Sequence, residues 1–413
     1  MTDSEQTQQS ALAALAVEQS KNLITVIGDY FKRLAAVTTI TTKPNFHMSV
    51  EKPVKAEVYD LWLKIDDKSS IEAVKQLIPF RDLLALHHFD EDIIRKMPSK
   101  QTWVTVKCTK DYLENIPQID PKFTPDFVHV NKILDLVNRR NSVGYGRGYY
   151  GFGEAGTGKT SMALWFAAVV GQPIVQYNCN ETSEIDDLFT RQVPMDGQWV
   201  TVDGPALKAV KKGWWLLVDE LDLAPAGLPP ALNDLIEGHK YSVSGVDQQI
   251  QANDNFRLFA FGNTGFTCSE RANYNGRSIL DASLKSRCVV DKYESLSNNS
   301  IAKMLLSNYP SLGLDLSGSI AQFMQGINLA MARENIAEVV TPRNIQMFAE
   351  AIVTNKELKN PLIYALCIAF PYVEECDDSS REAVLSEMTA HFEDILPKED
   401  INLIWEERYE MIA

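Results

Sequence analysis

The sequence predicts an α/β protein: a three-layer domain built on a parallel sheet, followed by a helical domain. Three observations carry this reading. Apolar strand-like runs (Ile174 to Cys179, Trp214 to Asp219, Arg257 to Gly262 and Val289 to Tyr293) alternate with helical runs, as in a parallel sheet covered on both faces. A glycine-rich octapeptide, Gly153-Glu154-Ala155-Gly156-Thr157-Gly158-Lys159-Thr160, joins a short strand (Tyr149 to Phe152) to an apolar helical run (Ser161 to Val170). Residues 299–413 show no clear strand. They carry stripes at helical spacing instead: Ile320, Phe323, Met324 and Ile327, then Leu385, Met388, Phe392 and Ile395.

The chain ahead of the octapeptide is less regular. Residues 1–10 read as a polar, disordered tail. A helix is expected from Ala11, with Leu23, Ile27, Tyr30 and Leu34 on one stripe. Residues 40–118 mix strand-like runs (Glu57 to Ile65, Thr102 to Cys108) with helical ones (Ile71 to Ile78, Arg81 to His87). Together, 1–118 make an N-terminal domain, mixed α/β or mostly helical, with no assigned role. Pro117, Pro121 and Pro125 mark an extended passage into the next domain, where Val130 to Arg139 form a helix. The expected division is therefore 1–118, then a core at 119–298, then helices at 299–413.

The 413 residues are 45% hydrophobic and 23% charged, the balance of a soluble globular protein, and suffice for two or three domains. No apolar run approaches the ~18 residues that a membrane span needs. The acidic start MTDSEQTQQS lacks the features of a secretory leader. The expected location is cytoplasmic, with no membrane partner. A net charge of −15 disfavours a broad nucleic-acid surface. Six scattered cysteines without a C-x-x-C pair indicate neither a disulfide framework nor a zinc site. His87-His88 lack metal-ligand spacing.

The octapeptide fits G-x-x-x-x-G-K-[ST], a loop that cradles phosphates. Its glycines permit a tight turn whose N–H groups face phosphate oxygens, and the helix that opens at Ser161 adds its dipole. Lys159 supplies a charge to the β- and γ-phosphates, and Thr160 a hydroxyl to Mg²⁺. Downstream, Trp214 to Val218 deliver Asp219 and Glu220 at the carboxyl end of an apolar strand, where ligands bind in open α/β sheets. Asp219 would hold Mg²⁺; Glu220 would polarise the attacking water as general base. The strand Phe256 to Gly262 ends in Asn263, a neutral group able to hydrogen-bond the water or the γ-phosphate. Arg287 closes a helical run before the last strand. Pro342-Arg343 opens a helix, proline being suited to its first turn.

In this order the motifs resemble those of the AAA+ ATPases, over roughly residues 115–350. The resemblance implies a P-loop AAA+ core with a helical lid. It makes Gly153–Thr160 Walker A, Leu216–Glu220 Walker B, Asn263 sensor 1, Arg287 the arginine finger and Arg343 sensor 2. Ser161 and Arg343 join the octapeptide as nucleotide contacts. The stretch Asp219–His239 is similar to the MoxR branch, which includes the dynein-related ATPases and the ATPase subunit of cobaltochelatase. Ile119-Asp120-Pro121, Val202-Asp203-Gly204-Pro205 and Phe256–Ala260 are similar to that subunit as well. His239–Gln251 would match a hairpin inserted in helix 2 of the branch. Glu154-Ala155 departs from the common pattern at positions expected to face outward, and Thr190 stands where glycine is usual. The resemblance implies ATP with Mg²⁺, a homo-oligomeric, hexameric ring, and a client carrying a von Willebrand A-type domain. The expected function is an ATP-hydrolysing ring motor that remodels a partner. A motor subunit of a cobalt or magnesium chelatase and a nucleic-acid-translocating motor are the alternatives.

Overall fold

The computed structural model describes residues 74–106, 110–120, 123–139, 146–243, 246, 249–265, 282–333, 340–358, 360–393 and 405. The expected tail, the helix from Ala11 and the run Glu57 to Ile65 lie outside them.

The core is a parallel sheet of five strands: β3 (Gly148–Gly153), β4 (Ile174–Asn178), β7 (Trp215–Asp219), β10 (Arg257–Gly262) and β11 (Cys288–Tyr293). Their order is β11-β3-β10-β7-β4. Period-two alternation sorts the side chains between two faces. Tyr149, Trp215, Leu217, Phe259 and Phe261 bury into one layer, with helices α4 (Phe127–Asn138) and α5 (Lys159–Val170). Tyr150, Leu216, Val218, Leu258 and Ala260 bury into the other. There they meet α7 (Pro205–Lys212), α8 (Leu228–Ala231), α9 (Asn233–Glu237) and α10 (Ala282–Arg287). This is the expected three-layer α/β core on a parallel sheet. Because both faces are covered, its central strands read as unbroken apolar runs.

Register aligns the strand ends. Asn178 pairs with Asp219, Gly262 with Phe152, and Tyr293 with Gly153. One sheet edge therefore collects every strand-to-loop exit. At the opposite edge, buried Arg257 donates to the carbonyls of Leu136 and Val137 at the end of α4, and to that of Arg139. A cation there meets the negative end of the helix dipole.

Helix α4 is also fastened to β11. Asp291, 1% exposed, accepts from Lys132 Nζ at 2.5 Å, from Tyr149 Oη, and bonds His129 Nδ1 at 2.7 Å. Burial opposes its charge, but these three hydrogen bonds hold its carboxyl below the usual range. The His129 ring stacks on Tyr293 at 3.8 Å.

Ahead of the core, β1 (Val74–Pro79) pairs antiparallel with β2 (Gln101–Val106); α1 (Phe80–Leu86) and α2 (Glu91–Lys96) lie between them. The run Ile71 to Ile78, expected as a helix, is thus a strand from Val74 on. Leu77 faces solvent and Ile78 is buried, an alternation that the short apolar run did not reveal. Phe80 stacks on Phe166 at 5.3 Å and meets Trp165 edge-on. These residues share one hydrophobic cluster with α4 and α5, so the boundary expected at residue 118 does not coincide with a break in packing.

The helix between β4 and β7 is interrupted. It begins as α6 (Ile185–Phe189), gives way to a hairpin of β5 (Thr190–Met195) and β6 (Gln198–Asp203), and resumes as α7. The turn residues Asp196 and Gly197 have φ of 51° and 77°, as a two-residue type I′ turn needs. The insertion expected at His239–Gln251 is therefore misplaced. That stretch holds a short pairing of β8 (Lys240–Tyr241) with β9 (Ile250–Gln251), located after α9 and before β10.

Beyond the core, α11 (Asn298–Asn308), α12 (Gly313–Arg333), α13 (Pro342–Thr354), α14 (Pro361–Ala369), α15 (Tyr372–Glu375) and α16 (Asp378–Phe392) build a separate cluster around Phe323, Phe348, Phe370 and Phe392. No strand occurs there among the described residues. No described helix is long and apolar enough to cross a membrane.

Phe80→Ala should cost about 3–5 kcal/mol, because it opens a cavity beside Phe166 and Trp165. Urea denaturation should show the whole α/β core losing stability. An unchanged main transition would mean that residues 74–106 fold independently of it.

Candidate functional site

The octapeptide loop leaves β3 at the carboxyl edge of the sheet, the usual ligand side of such sheets. Two glycines are required by geometry. A Cβ on Gly153, at φ 152°, would stand 2.2 Å from the Tyr293 carbonyl oxygen. Gly158, at φ 85°, is the left-handed cap from which α5 starts. The first α5 backbone bond runs from Met162 N to Gly158 O, so the amides of 159–161 precede the intrahelical ladder.

Lys159 is 7% exposed. Its Nζ donates to the carbonyls of Gly153 (2.9 Å) and Glu154 (2.8 Å) and to Asn263 Oδ1 (3.0 Å). Thr157 Oγ1 also donates to the Glu154 carbonyl at 2.9 Å. Next in α5, Thr160 Oγ1 donates to Asp219 Oδ2 at 2.7 Å. A hydroxyl and a carboxylate meeting at one point form an all-oxygen set of the kind Mg²⁺ takes with phosphate oxygens. Ser161 is exposed in the first helical turn, and Ala155 is exposed at the loop's outer side.

Asp219 Oδ1 accepts the Glu220 amide at 3.0 Å. Glu220 itself sits at φ 54°, a left-handed conformation rare for a residue with a side chain. The strand ends there in a sharp turn, leaving Glu220 part-exposed at the sheet edge beside Asp219.

Sequence reasoning passed over Asp222. It is fully buried in the short 3₁₀ turn after Glu220. Its Oδ2 accepts from the amides of Asn263 and Thr264 and from Thr264 Oγ1, each at 2.9 Å. This carboxylate fixes the loop that carries Asn263. Tyr150 Oη assists by donating to the Thr264 carbonyl at 2.7 Å. A Cβ on Gly262 would meet Tyr150 Oη at 2.4 Å and Asp222 Cγ at 3.0 Å, so the strand must end in glycine. The signal was present: an acid three residues after Asp219 in an otherwise apolar stretch. Cys179 registers the local field. Burial, then the charges of Asp219, Asp222 and Glu220, push its thiol up to about 12.

The structure brings Lys159, Thr160, Asp219, Glu220 and Asn263 together. It also sets the start of α13 over the loop. A Cβ on Gly156 would lie 3.0 Å from Pro342 Cδ and 3.1 Å from Thr341 Cβ. Thr341 caps α13 through a reciprocal pair with Asn344, and exposed Arg343 stands in that first turn. Arg287 is elsewhere. It immediately precedes Cys288, which pairs with Gly148 at the far end of β3, roughly 16 Å from Gly153 by strand rise. Its Nε donates to Glu237 Oε1 at 2.5 Å, so it has a counter-charge within its own chain.

Residues 152–288 match the family described as AAA domain (dynein-related subfamily). Midasin of Giardia intestinalis is 26% identical over 194 residues, 46% of this chain but 4% of that protein. Midasin of Dictyostelium discoideum is 28% identical over 137 residues, 33% of this chain and 2% of that protein. An uncharacterized protein of Staphylococcus aureus strain USA300 is 31% identical over 144 residues, covering 33% of this chain and 52% of its own length. The chain thus spans a small fraction of the two midasins and about half of the bacterial protein. A crystal structure described as a candidate ATPase of Cytophaga hutchinsonii aligns with 75% of this chain and 94% of its own at 11% identity, with a TM-score of 0.34.

Asp222→Ala should destabilise the chain by on the order of 3 kcal/mol, since it strands two buried amides. Asp222→Asn, which keeps one acceptor oxygen, should cost less. Chemical denaturation of the two variants gives the comparison; equal stability of Asp222→Ala and wild type would remove the loop-fixing role.

Proposed function

We propose that this chain hydrolyses ATP and works as an AAA+ ring motor of the MoxR type on a partner protein. The observation that supports this best is the meeting of Lys159 with Asn263, and of Thr160 with Asp219, beside Glu220 at one sheet edge. Each group suits one task. The α5 amides and Lys159 bind the β- and γ-phosphates. Thr160 and Asp219 would hold Mg²⁺, which supplies charge neutralisation to the phosphates when bound. Glu220 takes the proton of the attacking water. Asn263 Oδ1 or its amide orients that water or the γ-phosphate without adding charge. Arg343 reaches the phosphates from the lid.

Arg287 is assigned to the neighbouring subunit's nucleotide in a homo-oligomeric, hexameric ring. Its distance along β3 from its own loop supports this. The Glu237 pair removes a different argument for it, since the guanidinium needs no neighbour to offset its burial. A client with a von Willebrand A-type domain, and a place in the cytoplasm, come from the family resemblance.

Glu220→Gln should retain ATP affinity while steady-state hydrolysis falls by roughly 10² or more, because shape is kept and the base is lost. Near-normal turnover would show that Glu220 is not the base. Lys159→Ala should lose binding of labelled ATP.

Arg287→Lys keeps a cation for Glu237 but loses the guanidinium fork. It should still bind ATP while turning over poorly. Mixed with Lys159→Ala, itself inactive, it should regain partial activity that depends on the mixing ratio, because some boundaries then combine an intact Lys159 with an intact Arg287. Subunit exchange is first verified by co-purification of two tagged forms. Exchange with no recovered activity at any ratio would place Arg287 outside the neighbour's site.

A further inference from the structure

The sequence places Glu154 at a loop position expected to face outward. The structure gives it a partner instead. Its carboxylate Oε2 accepts from Ser295 Oγ. Ser295 lies in the segment 294–297, which runs from the end of β11 to the Ser297 cap of α11. That segment is the covalent passage from the sheet to the helical unit.

Glu154 is bonded at both ends. Its side chain meets the passage, while its main-chain carbonyl accepts from Lys159 Nζ at 2.8 Å and Thr157 Oγ1 at 2.9 Å. One residue earlier, Gly153 is packed so closely on the Tyr293 carbonyl that no Cβ fits. Two residues later, Gly156 touches Thr341 and Pro342 of the helical unit. The loop is therefore held at 153 by the end of β11, at 154 by the tether and at 156 by the helical unit. The Glu154 contact is made by a charged side chain with Ser295 Oγ as its hydrogen-bond donor.

We propose that Glu154 is a positioning residue that couples phosphate binding to the orientation of the helical lid, through Ser295. The coupling rests on the nucleotide-binding reading above. When Lys159 turns to a phosphate it must relinquish carbonyl bonds, the Glu154 carbonyl among them. The Glu154 peptide then reorients, and its side chain carries the change to Ser295 and the tether. By linkage, a lid orientation that favours this hydrogen bond must alter nucleotide affinity equally.

The test uses the full chain with fluorescent ADP and a non-hydrolysable ATP analogue. The variants are Glu154→Ala, Glu154→Gln, Ser295→Ala and the double alanine. Bioorthogonal labels at exposed Gln198 in β6 and Leu314 in α12 report the core–lid distance. Wild type should change that distance between the diphosphate and triphosphate states. Each single alanine variant should reduce the change and shift the ratio of ATP-analogue to ADP affinity roughly three- to tenfold, the range for one solvent-exposed hydrogen bond of ordinary net strength. The double variant should be no worse than either single, and Glu154→Gln, which keeps an acceptor, should restore most of both readouts. Multiplying effects in the double variant, an unchanged distance response in Glu154→Ala, or no rescue by glutamine would overturn the coupling while leaving nucleotide binding intact. Failure of the wild-type chain to bind either nucleotide would overturn the underlying reading, and the coupling with it.

Discussion

The ammonium of Lys159 is the constraint around which the rest is arranged. A charge that is 7% exposed is costly unless fully bonded. Here it is bonded by two loop carbonyls and by Asn263, a residue from a different strand. Those acceptors are in reach only because β3 and β10 are neighbours with Phe152 opposite Gly262. A shift of that register by one residue would invert the side-chain alternation that feeds both apolar layers. Packing of Tyr149, Phe259 and Phe261 on one side and Tyr150, Leu258 and Ala260 on the other thus fixes where the lysine finds its oxygens.

Other buried charges are handled in the same way, each joining elements distant in sequence. Asp222 ties the turn after Asp219-Glu220 to the Asn263 loop. Asp291 ties β11 to α4 through Lys132 and His129. Arg257 closes the end of α4 from the strand that carries Asn263 at its other end. Each such group would be strongly destabilising if its partners were removed, and each specifies one arrangement of helix against sheet. The edge that carries the candidate site inherits its geometry from contacts that are themselves remote from it.

The sheet and the main groups of the candidate site were legible because they combine strong local signals. The central strands are continuous apolar runs, and their functional residues sit at the ends. The octapeptide needs positive φ at fixed positions, which the sequence declares with glycine. Asp222 was less legible, because an acid after Asp219-Glu220 reads as more of a solvated turn; its burial depends on the Asn263 loop folding over it. The helix-interrupting hairpin was missed although Asp196-Gly197 is a strong turn dipeptide between strands. Its strands are mostly exposed, Trp199 at 72%, so they lack the core-facing alternation that usually reveals a strand. In β1 too few residues were available to separate a strand from one side of a helix. Glu154 read as outward because its partner, Ser295, lies across the fold, beyond any local pattern.

Electrostatics at the catalytic edge explain why so many cations converge on it in the proposed mechanism. Asp219, Glu220 and Asp222 all stand near Cys179, whose thiol they help to keep protonated. Against these acids the loop sets one ammonium. Asp222 spends its charge on two amides and a hydroxyl, which leaves Asp219 and Glu220 facing the region that a highly anionic triphosphate would enter. Carboxylates alone would repel it, and in a partly desolvated site that repulsion is screened poorly. Helix α5 offsets some of it through its amides, although a dipole end amounts to about half a charge. In the proposed mechanism the remainder comes from full charges close to the phosphates: a divalent cation, which Thr160 and Asp219 would hold, and guanidinium groups. There Arg343 would supply one by way of the lid, and Arg287 one by way of another copy of the chain. In the proposed mechanism turnover therefore depends on lid position and on assembly, because the acids at this edge would repel a triphosphate.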